Sequence, residues 1–189
     1  LGVTAVAALL QHNTSGIITR AEDSIERPKD LEGYTYSTWN SPIELATMQQ
    51  VVEADGGDFS KVDLIPNNIV DEAGALKEHQ TDAIWIYYGW GGISAELQGL
   101  DFNYFYFKDL DPVFDYYTPV IIANNDFLAE HPDTAKAFLS ATAKGYEYAI
   151  AHPEEAAQML IESDTTGSLK DSAELVTASQ KWMADQYQA

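Results

Sequence analysis

Cysteine is absent from the 189-residue sequence, which removes disulfides, thiolate nucleophiles, zinc–thiolate sites and iron–sulfur clusters in one step. That absence does not fix a compartment. Basic residues are scarce: ten Lys and Arg stand against thirty Asp and Glu, for a formal net charge of −20. A field of that sign repels phosphate backbones and anionic lipid surfaces, so nucleic acid and non-specific membrane binding are poor readings. No apolar run approaches the roughly 20 residues needed to span a bilayer. The apolar opening, residues 1–10, has neither a basic flank nor a small-residue cleavage site and reads as a buried strand. A chain that begins inside such a strand is expected to lack residues upstream.

Catalytic patterns are missing too. The four histidines, His12, His79, His131 and His152, are scattered without metal-ligand spacing, and no G-x-S-x-G, phosphate-cradling loop or H-E-x-x-H occurs. The sequence therefore predicts no enzyme, no cofactor and no metal site. Thirty acidic residues leave coincidental carboxylate pairs, so a hydrolase or lyase stays as the alternative of another class.

Apolar and aromatic residues are plentiful. With 46% hydrophobic and 12% aromatic content, including 4 Trp, 11 Tyr and 7 Phe, the chain has the material for a core that acidic disordered proteins lack. After the opening run comes the polar stretch Gln11-His12-Asn13-Thr14-Ser15-Gly16, which interrupts a buried strand where a cleft or hinge would lie; an ordinary turn explains it equally. Residues 34–39 have strand composition. Ser41, Pro42 and Glu44 then form a capping box with proline at the first helical position, predicting a helix to about residue 54 with Ile43, Met48, Val51 and Val52 on its apolar face. Further strands are expected at 62–65, 83–88, 102–107 and 119–123, with helices at 71–79 and from 93. This is the rhythm of a parallel-rich α/β sheet. From Asp126 onward the pattern is helical, with Phe138, Leu139, Tyr146 and Ile150 at three- and four-residue spacing.

Two junctions have the residues to hold a ligand. At Trp39-Asn40-Ser41-Pro42-Ile43-Glu44 a strand ends and a helix begins, the place where open α/β sheets bind ligands; an indole, an amide, a hydroxyl and a carboxylate there suit a flat polar ring, although capping alone also accounts for Ser41 and Glu44. At Tyr87-Tyr88-Gly89-Trp90-Gly91-Gly92 the strongest strand ends in glycines that admit close approach. Side chains alternate along that strand, so one of the two tyrosines faces a cleft, and Tyr88 is the expected one. Tyr117, within Asp115-Tyr116-Tyr117-Thr118-Pro119, is either a packing residue or a site residue.

With those segments in place, the chain resembles the solute-binding proteins of ABC importers related to the thiamine-pyrimidine-precursor-binding proteins. The likeness runs through Gln11-His12-Asn13-Thr14-Ser15-Gly16, Arg27-Pro28-Lys29-Asp30-Leu31-Glu32-Gly33, Ser41-Pro42-Ile43-Glu44, Tyr88-Gly89-Trp90 and the segment from Asp115 to Asn124. It implies an α/β fold of the type II periplasmic-binding class, with two lobes, helices on mixed sheets and two hinge crossovers. Residues 19–117 would be the complete second lobe, and 1–18 with 118–189 the remainder of an incomplete first lobe. It implies a receptor outside the cytoplasm, in the periplasm or on the outer face of the cell membrane, that closes on a small heteroaromatic nutrient and hands it to permease subunits. A lipid anchor would need a cysteine upstream of Leu1, and sheet edges left open by truncation would invite pairing with another copy.

The expected ligand residues are Trp39 and Trp90 for stacking, Glu44 for accepting ring N–H groups, and Asn40, Ser41, Tyr88 and Thr14 for orientation, with His12 and Tyr117 nearby. Relatives carry glycines around the first tryptophan and an acidic residue after Tyr-Gly-Trp; here Thr38 and Asn40 flank Trp39, and Gly91 follows Trp90. Members that make the pyrimidine depend on a cysteine-rich iron motif, which this chain lacks. A sulfonate or other small anion is the alternative ligand, and it would want a basic residue in the cleft.

Overall fold

A computed structural model describes residues 2–187. The strands are β1 (Val3–Ala8), β2 (Ser15–Arg20), β3 (Thr35–Thr38), β4 (Asp63–Pro66), β5 (Ala83–Tyr87), β6 (Phe102–Tyr106) and β7 (Val120–Asn124). The helices are α1 (Pro42–Ala54), α2 (Glu72–Lys77), α3 (Ile93–Leu97), α4 (Phe107–Leu110), α5 (Asn125–Glu130), α6 (Pro132–Ala151), α7 (Pro153–Ser163), α8 (Ser168–Asp171) and α9 (Ala173–Gln186). The chain divides into two compact units, 14–115 and 1–13 with 116–189.

Residues 14–115 build one five-stranded sheet in the order β4-β3-β5-β2-β6. The pairings β3–β4 and β3–β5 are parallel, whereas β2 pairs antiparallel with both β5 and β6. The sheet is thus mixed, as the resemblance implies, and less parallel than the βαβ rhythm alone suggests, because β2 enters from outside that rhythm. The sequence reading places residues 15–18 with the first lobe; in the structure they belong to this sheet's fully buried strand.

Alternation along the strands sends side chains to two cores. Ile17, Tyr36, Ala83 and Trp85 pack with Met48 and Val52 of α1 and with Phe107 on one face. Ile18, Ile84 and Ile86 pack with Ala73 and Leu76 of α2 and Ala95 of α3 on the other. A strand covered on both faces reads as a continuous apolar run, and full burial of each such side chain stabilises by about 1.5–3 kcal/mol. Ile43, expected on the apolar face of α1, is 77% exposed; its helix instead buries Glu44, Thr47, Met48, Val51 and Val52.

In the other unit β1 and β7 form a two-stranded antiparallel sheet. The buried strand expected over residues 1–10 is exposed or half-buried along β1, whose one sheet neighbour among the described residues is β7. Helix α6 is amphipathic as expected, yet none of its residues is buried. Two adjoining hollows of about 580 and 460 Å³ share Val6, Ile121 and Leu139 between that sheet and α6. A small core of Ala157, Ile161 and Val176 joins α7 to α9.

Candidate functional site

The parallel pairing of β3 with β5, and the antiparallel pairing of β2 with both β5 and β6, bring four chain positions to one end of the five-stranded sheet: the exit of β3, the exit of β5, the entry of β2 and the exit of β6.

At the exit of β3 the backbone folds tightly around one carboxylate. Glu44 Oε1 accepts from the Tyr36 hydroxyl at 2.8 Å and from Trp39 N–H at 3.2 Å. Its Oε2 accepts from the Thr38 hydroxyl at 3.0 Å and from Ser41 N–H at 3.3 Å. Glu44 is 3% exposed, and a carboxylate with about four lone-pair sites is saturated by these four donors. The expectation that Glu44 accepts from a ligand is therefore corrected: its side chain closes the capping box and holds the Trp39–Ser41 turn in place. Burial, and then the hydrogen bond to Glu44, push the Tyr36 hydroxyl pKa well up, so it stays a donor.

Asn40 sits in that turn at φ +56, a left-handed conformation that asparagine tolerates better than most residues. Its N–H donates to the Thr38 hydroxyl at 2.8 Å. The result is that Trp39 is thrown outward, 53% exposed, its ring 6.3 Å from that of Trp85 in the core beneath. Beside it, a depression of about 460 Å³ is lined by Trp39, Asn40, Leu64, Pro66 and Asn67. Asn67 N–H donates to the Thr38 carbonyl at 2.8 Å, tying the ends of β3 and β4 together.

At the exit of β5 the chain makes a wide π-type turn, Tyr88–Gly92. Tyr88 N–H donates to the Thr14 carbonyl at 3.1 Å, which also accepts from the Tyr104 hydroxyl at 3.1 Å. The Tyr88 ring stacks against Tyr106 (centroids 5.6 Å apart, planes 28° apart) and meets Tyr104 edge-on at 5.0 Å. A Cβ on Gly92 would lie 2.8 Å from the Tyr88 ring, so glycine is what lets that ring pack here. The Tyr88 hydroxyl donates to Glu96; burial first and Glu96 second push its pKa up. Burial, reinforced by Asp109 and Glu96, pushes Tyr106 up to about 12, and Lys108 Nζ lies 5.1 Å from its ring centroid while bonded to Asp109 at 2.8 Å.

Trp39, Asn40, Ser41, Tyr88, Trp90 and Thr14 thus share one end of the sheet. Trp90 is 45% exposed and Thr14 5%. Tyr87, the alternative to Tyr88, points into solvent at 55% exposure, while Tyr88 is half-buried among aromatic rings. His12 and Tyr117, both exposed, belong to the other unit. Sequence reasoning passed over Tyr104 and Tyr106, although Phe102, Tyr104 and Tyr106 recur with the period-2 spacing that puts them on one face of β6.

The model of the family described as NMT1/THI5 like matches residues 1–156. The formylaminopyrimidine-binding protein of Halalkalibacterium halodurans is 28% identical over 166 residues, covering 85% of this chain and 48% of that protein. The chain therefore spans about half the length of the curated relative it matches. Among solved structures, the periplasmic aliphatic sulphonate binding protein SsuA from Escherichia coli aligns with a TM-score of 0.66 at 14% identity, over 97% of this chain and 63% of that one. The desulfurization enzyme DSZB aligns with a TM-score of 0.60 at 13% identity, over 98% of this chain and 73% of that one. At such identities the likeness is one of fold, and the fold is the expected α/β type II periplasmic-binding class.

Proposed function

We propose that this chain, which belongs to the NMT1/THI5-like family, is part of an extracytoplasmic solute receptor of an ABC importer that captures a small heteroaromatic nutrient of the thiamine-pyrimidine-precursor type. One observation carries the reading: two exposed indoles, Trp39 and Trp90, stand at one end of the same sheet, and Trp39 lines a hollow of about 460 Å³ together with the Asn40 amide. Flat aromatic surfaces with a few oriented polar groups suit a planar polar ring. The likeness to a formylaminopyrimidine-binding protein supports the same class. The two compact units are read as lobes of that receptor and the ABC permease as its partner. No helix among the described residues is long and apolar enough to cross a membrane.

The receptor is read as a binder and not a catalyst. Glu44, the carboxylate behind the Trp39 turn, is buried and has its oxygens occupied by four protein donors.

A sulfonate is the second reading, favoured by Lys108 over the Tyr106 ring at the same end of the sheet. Tryptophan fluorescence of the chain titrated with formylaminopyrimidine, hydroxymethyl-aminopyrimidine and a series of alkanesulfonates separates the two. A saturable change with a pyrimidine, shifted to about fivefold higher concentration in Trp39→Ala, supports the first; a response confined to sulfonates and lost in Lys108→Ala replaces it with the second. Turnover of any of these compounds would refute both.

A further inference from the structure

The opposite end of the same sheet gathers a different set of side chains. There β2 runs out at Arg20 into the 3-10 turn Ala21–Asp23, and the residue after α2 leads into a turn at His79. His79 adopts φ +54, and its N–H donates to the Leu76 carbonyl at 3.1 Å. That turn brings its Nε2 to 3.6 Å from Glu22 Oε1. One ligand atom from each of Glu22, Asp23 and His79 lies within 4.8 Å of the others.

The scaffold beneath them is fixed. Arg20, 3% exposed, donates through Nη1 to the carbonyls of Leu76 and Thr81, each at 2.7 Å. Its Nη2 lies 2.6 Å from Asp23 Oδ2 and 2.5 Å from Asp82 Oδ1. The Tyr34 hydroxyl donates to the Asp23 carbonyl at 2.9 Å. Asp23 Oδ2 rests on Arg20, and its carboxylate supplies one atom to the Glu22–Asp23–His79 cluster. Three carboxylates, Glu22, Asp23 and Asp82, face the Arg20 guanidinium, and with Lys77 lining the same hollow as Glu22 they still outnumber the nearby cations. A metal-bound carboxylate oriented by a further hydrogen-bonding partner is the usual construction of such sites.

We infer that Glu22, Asp23 and His79 form a binding site for a divalent transition-metal ion of the Zn²⁺ class. The imidazole decides the class, because Mg²⁺ and Ca²⁺ take oxygen ligands while zinc and its neighbours accept nitrogen with carboxylate. Three side chains leave a position for water. The ion would clip the turn after β2 to the turn after α2, two segments far apart in sequence. The site lies five residues along β2 from the end bearing Trp39 and Trp90, roughly 17 Å at strand rise, so it is independent of the nutrient site and of the function proposed for it.

The test is calorimetric titration of the EDTA-treated, dialysed full chain with zinc chloride, with magnesium chloride as the control, followed by thermal unfolding with and without zinc. One-to-one saturable zinc binding, raised thermal stability with zinc and no response to magnesium are expected. His79→Ala and Glu22→Gln should each weaken binding about tenfold or more, with unfolding in EDTA unchanged from the parent. Absence of a saturable zinc signal, an equal response to magnesium, or zinc binding that survives both substitutions overturns the assignment.

Discussion

The Tyr36 hydroxyl donates to Glu44 Oε1 at 2.8 Å with both side chains buried, fastening β3 to the first turn of α1. Glutamine at position 44 would keep one acceptor oxygen and turn an NH₂ toward groups that themselves donate. Glu44→Gln is expected to lower the unfolding free energy by about 2–3 kcal/mol, read from urea denaturation, and to weaken pyrimidine binding as the Trp39 turn loosens. Full stability in this variant would mean that something other than the carboxylate holds the turn.

Trp39 and Trp90 should behave in the opposite way. Both are about half exposed, so replacing either with alanine should move stability by no more than about 0.5 kcal/mol. Pyrimidine affinity should fall by about 1 kcal/mol, roughly fivefold, for each ring removed from a stacking contact. Calorimetry on the two variants checks both halves of the expectation.

Asp82 links stability to pH. Burial alone would raise its pKa, but the N–H and hydroxyl of Thr35 and the Arg20 guanidinium hold it below the usual carboxylate range. A depressed folded-state pKa gives stability that is present above the unfolded value near about 3.9 and is lost as pH falls through the folded value. Asp82→Asn should therefore cost about 3 kcal/mol at pH 7, because it strips a partner from a buried cation. The difference between parent and variant should shrink as urea denaturation is repeated at successively lower pH below 4.

Gly16 lies in β2 where β6 comes unusually close. A Cβ there would sit 2.2 Å from the Phe105 carbonyl oxygen and 2.9 Å from the Tyr104 ring. Gly16→Ala must push β6 aside, at an expected cost of about 3 kcal/mol. Near-ultraviolet circular dichroism should also change, since Tyr104 packs against Tyr88 and Tyr106.

The hollows between α6 and the β1–β7 sheet expose large apolar side chains, among them Ile122 and Phe138, each 60% accessible. Such a surface should bind an apolar dye. Ile122→Lys and Phe138→Lys are expected to reduce 1-anilinonaphthalene-8-sulfonate fluorescence while leaving the unfolding midpoint nearly unchanged.

The readable parts of the sequence were those governed by local rules. Ser41, Pro42 and Glu44 announce the start of α1, and the β-rich run 83–88 announces a central strand, because capping and alternation act within a few residues. The same local view assigned Glu44 to a ligand, since the spacing that makes a capping box does not reveal that Tyr36 and Thr38 also converge on it. Residues 15–18, which the resemblance implies belong with the first lobe, lie in the five-stranded sheet, because β2 pairs with β5 and β6 and such long-range pairing leaves no local mark in the sequence. The meeting of Glu22 with His79 depends on a left-handed turn and on the pairing of strands across sixty residues of chain, neither of which leaves a periodic trace.

Thr4 of β1 bonds to Asn125 across 121 positions of chain, whereas every pairing of the five-stranded sheet is made within residues 14–115. Closing so long a loop carries an entropic cost that local pairings avoid. Among the described strands, β1 and β7 are expected to pair after the five-stranded sheet that lies between them in sequence has closed its shorter loops. Assembly therefore runs from the inside outward: the stretch that carries the two indoles is finished while the segment preceding it is still without its mate.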